Sequence, residues 1–132
     1  MAVVDASVVV GYLSKEAAFL DERLDADEHV LWAPHLIDAE VGHALRRKVR
    51  LGQLDAETAG EAIWAINDLP LRRVEHENLL HVAWDLRENF SYYDALYVSL
   101  ALMLGETLLT FDARLARSGI DVPVEVLAAG QA

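Results

Sequence analysis

Four acidic side chains stand where an α/β chain ordinarily places apolar or neutral ones: Asp5, Glu40, Asp94 and Asp112. Asp5 closes the apolar run Ala2-Val3-Val4, Asp112 closes Leu108-Leu109-Thr110-Phe111, and Asp94 opens the almost wholly apolar segment 95–104. An uncompensated carboxylate in such a setting costs several kcal/mol, so each of the four needs a cation or a local structural partner. If a cation answers them, its ligands are hard oxygens. With no cysteine in the chain and no clustered histidines, such ligands select Mg²⁺ or Mn²⁺ over zinc or copper.

Each acid also has a structural reading. Asp5 and Asp112 each follow a strand-like run and precede a short helical segment, so either can cap free amides, and Ser7 can assist Asp5. Ser91-Tyr92-Tyr93-Asp94 fits a capping box in which the acid reaches back to the cap amide. At 100° per residue, however, Asp94 aligns with Val98, Ala101 and Leu102, and the other faces carry Leu96, Tyr97, Leu100, Met103 and Leu104. The wheel therefore describes a helix buried all round, with its acid lining an internal cleft. Glu40 lies about 80° from the stripe Ile37, Val41, Ala44, Leu45 and Lys48, on the flank of Leu36, Arg47 and Leu51. A glutamate there reaches a cleft beside the packed face or sits at an ordinary amphipathic boundary.

Other signals carry less. His76-Glu77-Asn78-Leu79-Leu80-His81 is one residue longer than the zinc-binding HExxH pattern, and histidines five apart diverge by about 140° on a helix. His35 and His43 read as surface residues, with metal-free acid–base cleavage of RNA as their alternative. Trp32, Trp64 and Trp84 read as core or interface residues rather than base-stacking platforms. No phosphate-binding GxxxxGK[ST] or GxGxxG loop occurs. Arg46-Arg47-Lys48-Val49-Arg50 is a basic cluster in a chain of formal charge −11. It suits a helix C-terminus, with an RNA or partner contact as the other reading. The net charge itself repels phosphates at long range.

The elements that must position these residues follow a βαβ rhythm. Strands are predicted near 2–5, 29–33, 71–74, 107–110 and 123–127, and helices near 7–13, 16–25, 35–51, 55–68, 76–89, 92–104 and 112–117. Pro34 suits a first helical turn, Gly52 a helix stop, and Asp55 and Ser91 helix N-caps. A chain of 132 residues supports one domain over 1–132, and no linker, repeat or low-complexity tract divides it. Its longest apolar stretch falls short of the ~20 residues a spanning helix needs, so no membrane segment is expected. No secretory signal is visible at the amino terminus, and a cytoplasmic location is the expectation. In an open parallel sheet, ligands bind beyond the carboxyl ends of the strands. Asp5 and Asp112 are placed there.

Four fragments in this order, Val3-Val4-Asp5-Ala6-Ser7, Pro34-His35-Leu36-Ile37-Asp38-Ala39-Glu40-Val41, Tyr93-Asp94-Ala95-Leu96-Tyr97 and Leu109-Thr110-Phe111-Asp112, give the chain its resemblance to PIN-domain proteins. It most closely resembles the small VapC-type ribonuclease toxins of bacterial toxin–antitoxin pairs, over nearly its full length. The resemblance implies a three-layer α/β/α fold around a mainly parallel sheet of about five strands. It also implies a divalent-metal site of Asp5, Glu40, Asp94 and Asp112, with hydroxyl support from Thr110 and Ser7 and one or two Mg²⁺ or Mn²⁺ ions.

The implied activity is an endoribonuclease whose metal-activated water cleaves RNA phosphodiesters, leaving 5′-phosphate and 3′-hydroxyl ends. A homodimer and a cognate antitoxin are implied partners, with Arg46, Arg47, Lys48, Arg50 and Trp64 as contact candidates. Some relatives carry a further acid after the last aspartate, where this chain has Arg114, Leu115 and Ala116, so a second ion has less support than the first. Two alternatives remain: a catalytically silent PIN-fold binding module, and a phospho-acceptor domain of the receiver type. The latter lacks a phosphate-pairing lysine, since none follows Lys48.

Overall fold

In the computed structural model, which describes residues 1–14 and 30–128, five short strands form one parallel sheet. They are β1 (Ala2–Val4), β2 (Leu31–Pro34), β3 (Leu71–Val74), β4 (Leu108–Thr110) and β5 (Val124–Val126). The spatial order is β3-β2-β1-β4-β5. Register pairs Val3 with Trp32 on one side and with Leu108 on the other. The central strands β1 and β4 bury every residue, as strands covered on both faces must, whereas edge strands β3 and β5 are only partly covered. Fully burying Val3 and Val4 stabilises the fold by roughly 1.5–3 kcal/mol each.

The helices are α1 (Ala6–Leu13), α2 (Leu36–Arg50), α3 (Ala56–Ala65), α4 (Leu80–Asp85) and α5 (Tyr92–Leu104). The chain steps one way across the sheet from β1 to β3 and the other way from β3 to β5. Right-handed crossovers therefore put α1, α2 and α3 on one face and α4 and α5 on the other. The contacts agree: α1 packs on α2 and α2 on α3, while α4 packs on α5, which lies against β1, β2 and β4. This is the three-layer α/β/α arrangement expected from the sequence.

Several boundaries moved for local reasons. Pro34 is the last residue of β2, opposite Val74, and not the first turn of α2. The helix expected over 55–68 tightens into a 3₁₀ turn at Ile66–Asp68, the one over 76–89 is a 3₁₀ turn followed by the short α4, and that over 112–117 is 3₁₀. Gly52 (φ 73°) and Gly105 (φ 65°) stop α2 and α5 in the left-handed region, which a side chain disfavours. Asp55 caps α3 through the Thr58 amide at 2.8 Å. The helix expected over 16–25 lies outside the described residues. Trp64 and Trp84 are exposed rather than core, and Trp32 is half-buried beneath the Arg72 guanidinium. No described helix is long and apolar enough to cross a membrane.

Candidate active site

The order of strands reverses between β1 and β4, so their carboxyl ends diverge into helices on opposite faces and leave a crevice. Asp5 leaves β1 into α1, and Asp112 leaves β4 into a 3₁₀ turn. Glu40 stands just over one turn into α2, which begins after β2, the other neighbour of β1. Asp94 sits in the first turn of α5.

Asp5 is held from three sides. Oδ1 accepts from the Ser7 hydroxyl at 2.5 Å and the Val8 amide at 3.2 Å, and Oδ2 accepts from the Thr110 hydroxyl. Both hydroxyls are relays: Ser7 Oγ accepts from the Phe111 amide at 3.1 Å, and Thr110 Oγ1 from the Asp112 amide at 2.9 Å. One carboxylate thus stitches the end of β1 to the segment leaving β4. It caps α1 and belongs to the acidic crevice at once, so the two readings of Asp5 are compatible. Burial lifts its pKa above the ordinary carboxylate value, the Ser7, Thr110 and Val8 donors pull it back, and nearby Asp94 pushes it further up.

Glu40 and Asp94 have fewer donors. Burial raises the pKa of Glu40, and the charges of Asp94 and Asp5 add to it. Asp94 is raised by burial and by Asp112, against the lowering influence of Ser91 and Arg114. Its own amide donates to Ser91 Oγ at 3.1 Å, so the serine half of the capping box is closed. The expected burial of α5 on every side holds over 95–101 but fails at its end, where Leu102 and Met103 are exposed. Asp112 behaves oppositely. Hydrogen bonds from Arg114 hold its carboxyl below the ordinary range.

Three site features were not read from the sequence. Tyr97, one turn beyond Asp94, is buried; its hydroxyl faces Glu40 without closing a hydrogen bond of normal geometry, and burial with that neighbouring charge pushes its pKa up. The Asp94-x-x-Tyr97 spacing was the available signal. His76 Nε2 accepts from the Leu36 amide at 2.9 Å, and Arg73 forks onto Asp38 at 2.7 Å, so residues of and after β3 grip the first turn of the helix bearing Glu40. Arg114 is the third.

A cleft of about 550 Å³ opens beside Glu40, lined chiefly by Ala6, Leu36, Ala39, His43, Arg47 and Tyr93. Of the basic cluster, Arg46, Arg47 and Arg50 are exposed and Lys48 half-buried; Arg47, Lys48 and Arg50 occupy the last turn of α2, as the helix-end reading requires. Trp64 stands exposed on α3. His35 and His43 are exposed, and only His43 borders the cleft.

An all-oxygen set in which burial and a neighbouring acid raise Asp5, Glu40 and Asp94, with an unsatisfied buried phenol beside it, has the chemistry of a hard dication site. The side chains as placed are not a closed chelate. Among the described residues no three His, Cys, Asp or Glu groups stand within reach of one ion. Asp5 is engaged by hydroxyls and Asp112 by Arg114, so gathering them around an ion requires side-chain movement.

Comparison with known proteins places the chain. The PIN-domain family profile matches residues 2–120. Ribonuclease VapC1 of Mycobacterium tuberculosis is 47% identical over 116 residues, covering 86% of this chain and 87% of that protein. Ribonuclease VapC9 of the same organism is 36% identical over 119 residues, covering 90% and 91%. The crystal structure of PAE2754 from Pyrobaculum aerophilum superposes with a TM-score of 0.65 at 29% identity, covering 89% of this chain and 78% of that one. The chain belongs to the PIN-domain family, among its VapC-type members.

Proposed function

We propose that this chain is a divalent-cation-dependent endoribonuclease, the toxin of a toxin–antitoxin pair. The observation that carries the reading is placement: Asp5 at the end of β1 is bonded through Thr110 to the end of β4, which leads into Asp112, and Glu40 and Asp94 stand near the starts of α2 and α5. The ribonuclease names of the VapC relatives supply the substrate class.

In this reading Asp5, Glu40, Asp94 and Asp112 hold one or two Mg²⁺ or Mn²⁺ ions. Bound there, the cation supplies Lewis-acid stabilisation of charge on the phosphoryl oxygens and makes water acidic enough to serve as nucleophile. Ser7 and Thr110 anchor the Asp5 carboxylate at the junction of β1 and β4, and uptake of the ion shifts it against these hydroxyls. Tyr97 remains a neutral phenol and can donate to Glu40 when that side chain shifts. Arg47 at the cleft edge offers a cation to an RNA phosphate, and Tyr93 offers an aromatic face to a base. A homodimer and a cognate antitoxin complete the proposal, with Arg46, Lys48, Arg50 and Trp64 available as contacts.

One observation favours a second reading. Because the acids as placed do not close around an ion, a catalytically silent binding module would have the same appearance. Incubation of the partner-free chain with RNA separates the two, using Mg²⁺, Mn²⁺ or chelator and the variants Asp5→Asn and Asp94→Asn. Cleavage should require the cation and both acids and leave 5′-phosphate ends. No cleavage under any condition supports the silent module. Cleavage that persists in chelator, with 2′,3′-cyclic phosphate products, moves the chemistry to histidine.

A further inference from the structure

Arg114 closes its guanidinium on both oxygens of Asp112: Nε lies 3.0 and 3.1 Å from Oδ1 and Oδ2, and Nη2 lies 2.6 Å from Oδ2. The pair is preset by its backbone, since the Arg114 amide also donates to Oδ1 at 2.9 Å in the turn leaving β4. Among the described ion pairs it is the one that joins a basic side chain to any of the four acids. Its charge also reaches Asp94.

The pair is lopsided. The Arg114 side chain is 79% exposed and that of Asp112 28% exposed. An exposed ion pair contributes little net stability, and an arginine whose head already touches water leaves without stranding a buried charge. A guanidinium cannot share a metal's coordination shell, and both Asp112 oxygens are engaged. A dication approaching this carboxylate therefore meets a competing cation. The released fork remains at the carboxyl end of β4, and its planar donors match a phosphate as well as they match a carboxylate.

We propose that Arg114 is a resident counter-cation of Asp112, displaced when a divalent cation is taken up, and that its freed guanidinium then binds a phosphate of the RNA. The proposal rests on the reading that these acids hold a cation. It assigns to one arginine the exchange of an internal anion for the substrate's, which ties RNA affinity to the loading of the site. In a chain of net charge −11 a phosphate contact placed among the acids offsets the general repulsion.

The test is calorimetric titration of Mn²⁺ into the full chain stripped with EDTA, comparing wild type, Arg114→Gln and Arg117→Gln. Arg117 also lies near Asp112 but makes no forked pair with it. Losing the competitor should tighten Mn²⁺ binding by about three- to tenfold in Arg114→Gln, and Arg117→Gln should change it less than about twofold. A second arm follows a labelled phosphorothioate RNA by fluorescence anisotropy in saturating Mn²⁺, where Arg114→Gln should bind about fivefold more weakly with a flatter salt dependence. Arg114→Lys, which keeps the charge and loses the fork, should fall between.

Equal or weaker Mn²⁺ binding in Arg114→Gln overturns the proposal alone, as does an equal gain in Arg117→Gln, which would make the effect one of general charge. Unchanged RNA binding in Arg114→Gln overturns the phosphate contact. Wild-type protein that takes up no Mn²⁺ removes the cation reading and this proposal together.

Discussion

Replacing Thr110 by valine deletes one hydroxyl and keeps the side chain's shape, which makes it the cleanest probe of how the acidic crevice is built. Thr110 is wholly buried at the end of β4. Its hydroxyl donates to Asp5 Oδ2 and accepts from the Asp112 amide at 2.9 Å, so valine breaks two bonds at once. A hydrogen bond to a charged acceptor contributes about 1.5–3 kcal/mol, and a stranded amide costs about 1–3 kcal/mol more. Asp112 is partly exposed, and water can recover part of the second cost. After that recovery the sum is about 2–5 kcal/mol, equivalent to a fall of about 8–20 °C in Tm for a domain this size.

Urea denaturation followed by circular dichroism measures it, with Thr110→Ser as control. Serine keeps the hydroxyl and loses only a methyl, at a cost of about 1 kcal/mol. A valine variant destabilised by less than about 1 kcal/mol, or a serine variant worse than valine, would refute the relay and leave Thr110 as packing.

Two further outcomes follow from the same geometry. Asp94→Asn should leave stability unchanged or raise it, by no more than about 1 kcal/mol at neutral pH after solvent screening. The sign follows from linkage: the folded-state pKa of Asp94 is raised, so its contribution is fully present below the unfolded value of 3.8 and is lost as pH rises through the folded value. The variant's advantage should therefore vanish below about pH 4 and grow as pH rises through the raised folded value, levelling off above it, and a large drop in Tm would instead assign the carboxylate to the α5 cap. His76→Phe removes the acceptor for the Leu36 amide and should cost about 1–2 kcal/mol in urea melts. An unchanged midpoint would mean that Arg73 and Asp38 alone fix the start of α2.

The positions of the acids were legible because strand ends and helix starts are written in short-range patterns. Val3-Val4-Asp5 and Leu109-Thr110-Phe111-Asp112 mark where apolar runs end, and parallel pairing of β1 with β4 brings those ends together. Capping was also legible at Asp55 and Ser91, where a polar residue precedes a helical run. Contacts between residues distant in sequence were not. Nothing local announces that His76 will bond the Leu36 amide or that Tyr97 will face Glu40, since both depend on how α2, β3 and α5 are placed by the sheet. Arg114 was noticed only as the absence of an acid, because a sequence shows that a cation is present without showing which carboxylate it holds. For Trp64 and Trp84 the core half of the core-or-interface reading fails for a related reason: a large aromatic residue is usually covered, and here both stand exposed, the Trp84 ring with the Arg87 guanidinium over it.

The claim on which the rest depends is that carboxylates from β1, α2, α5 and the end of β4 share a cation. Anomalous diffraction from crystals grown in Mn²⁺ locates such an ion without reference to activity. A peak is expected within about 2.5 Å of oxygens from Asp5 and at least one of Glu40, Asp94 and Asp112. A well-ordered crevice with no peak at saturating Mn²⁺, or a peak bound elsewhere on the surface, would contradict that claim.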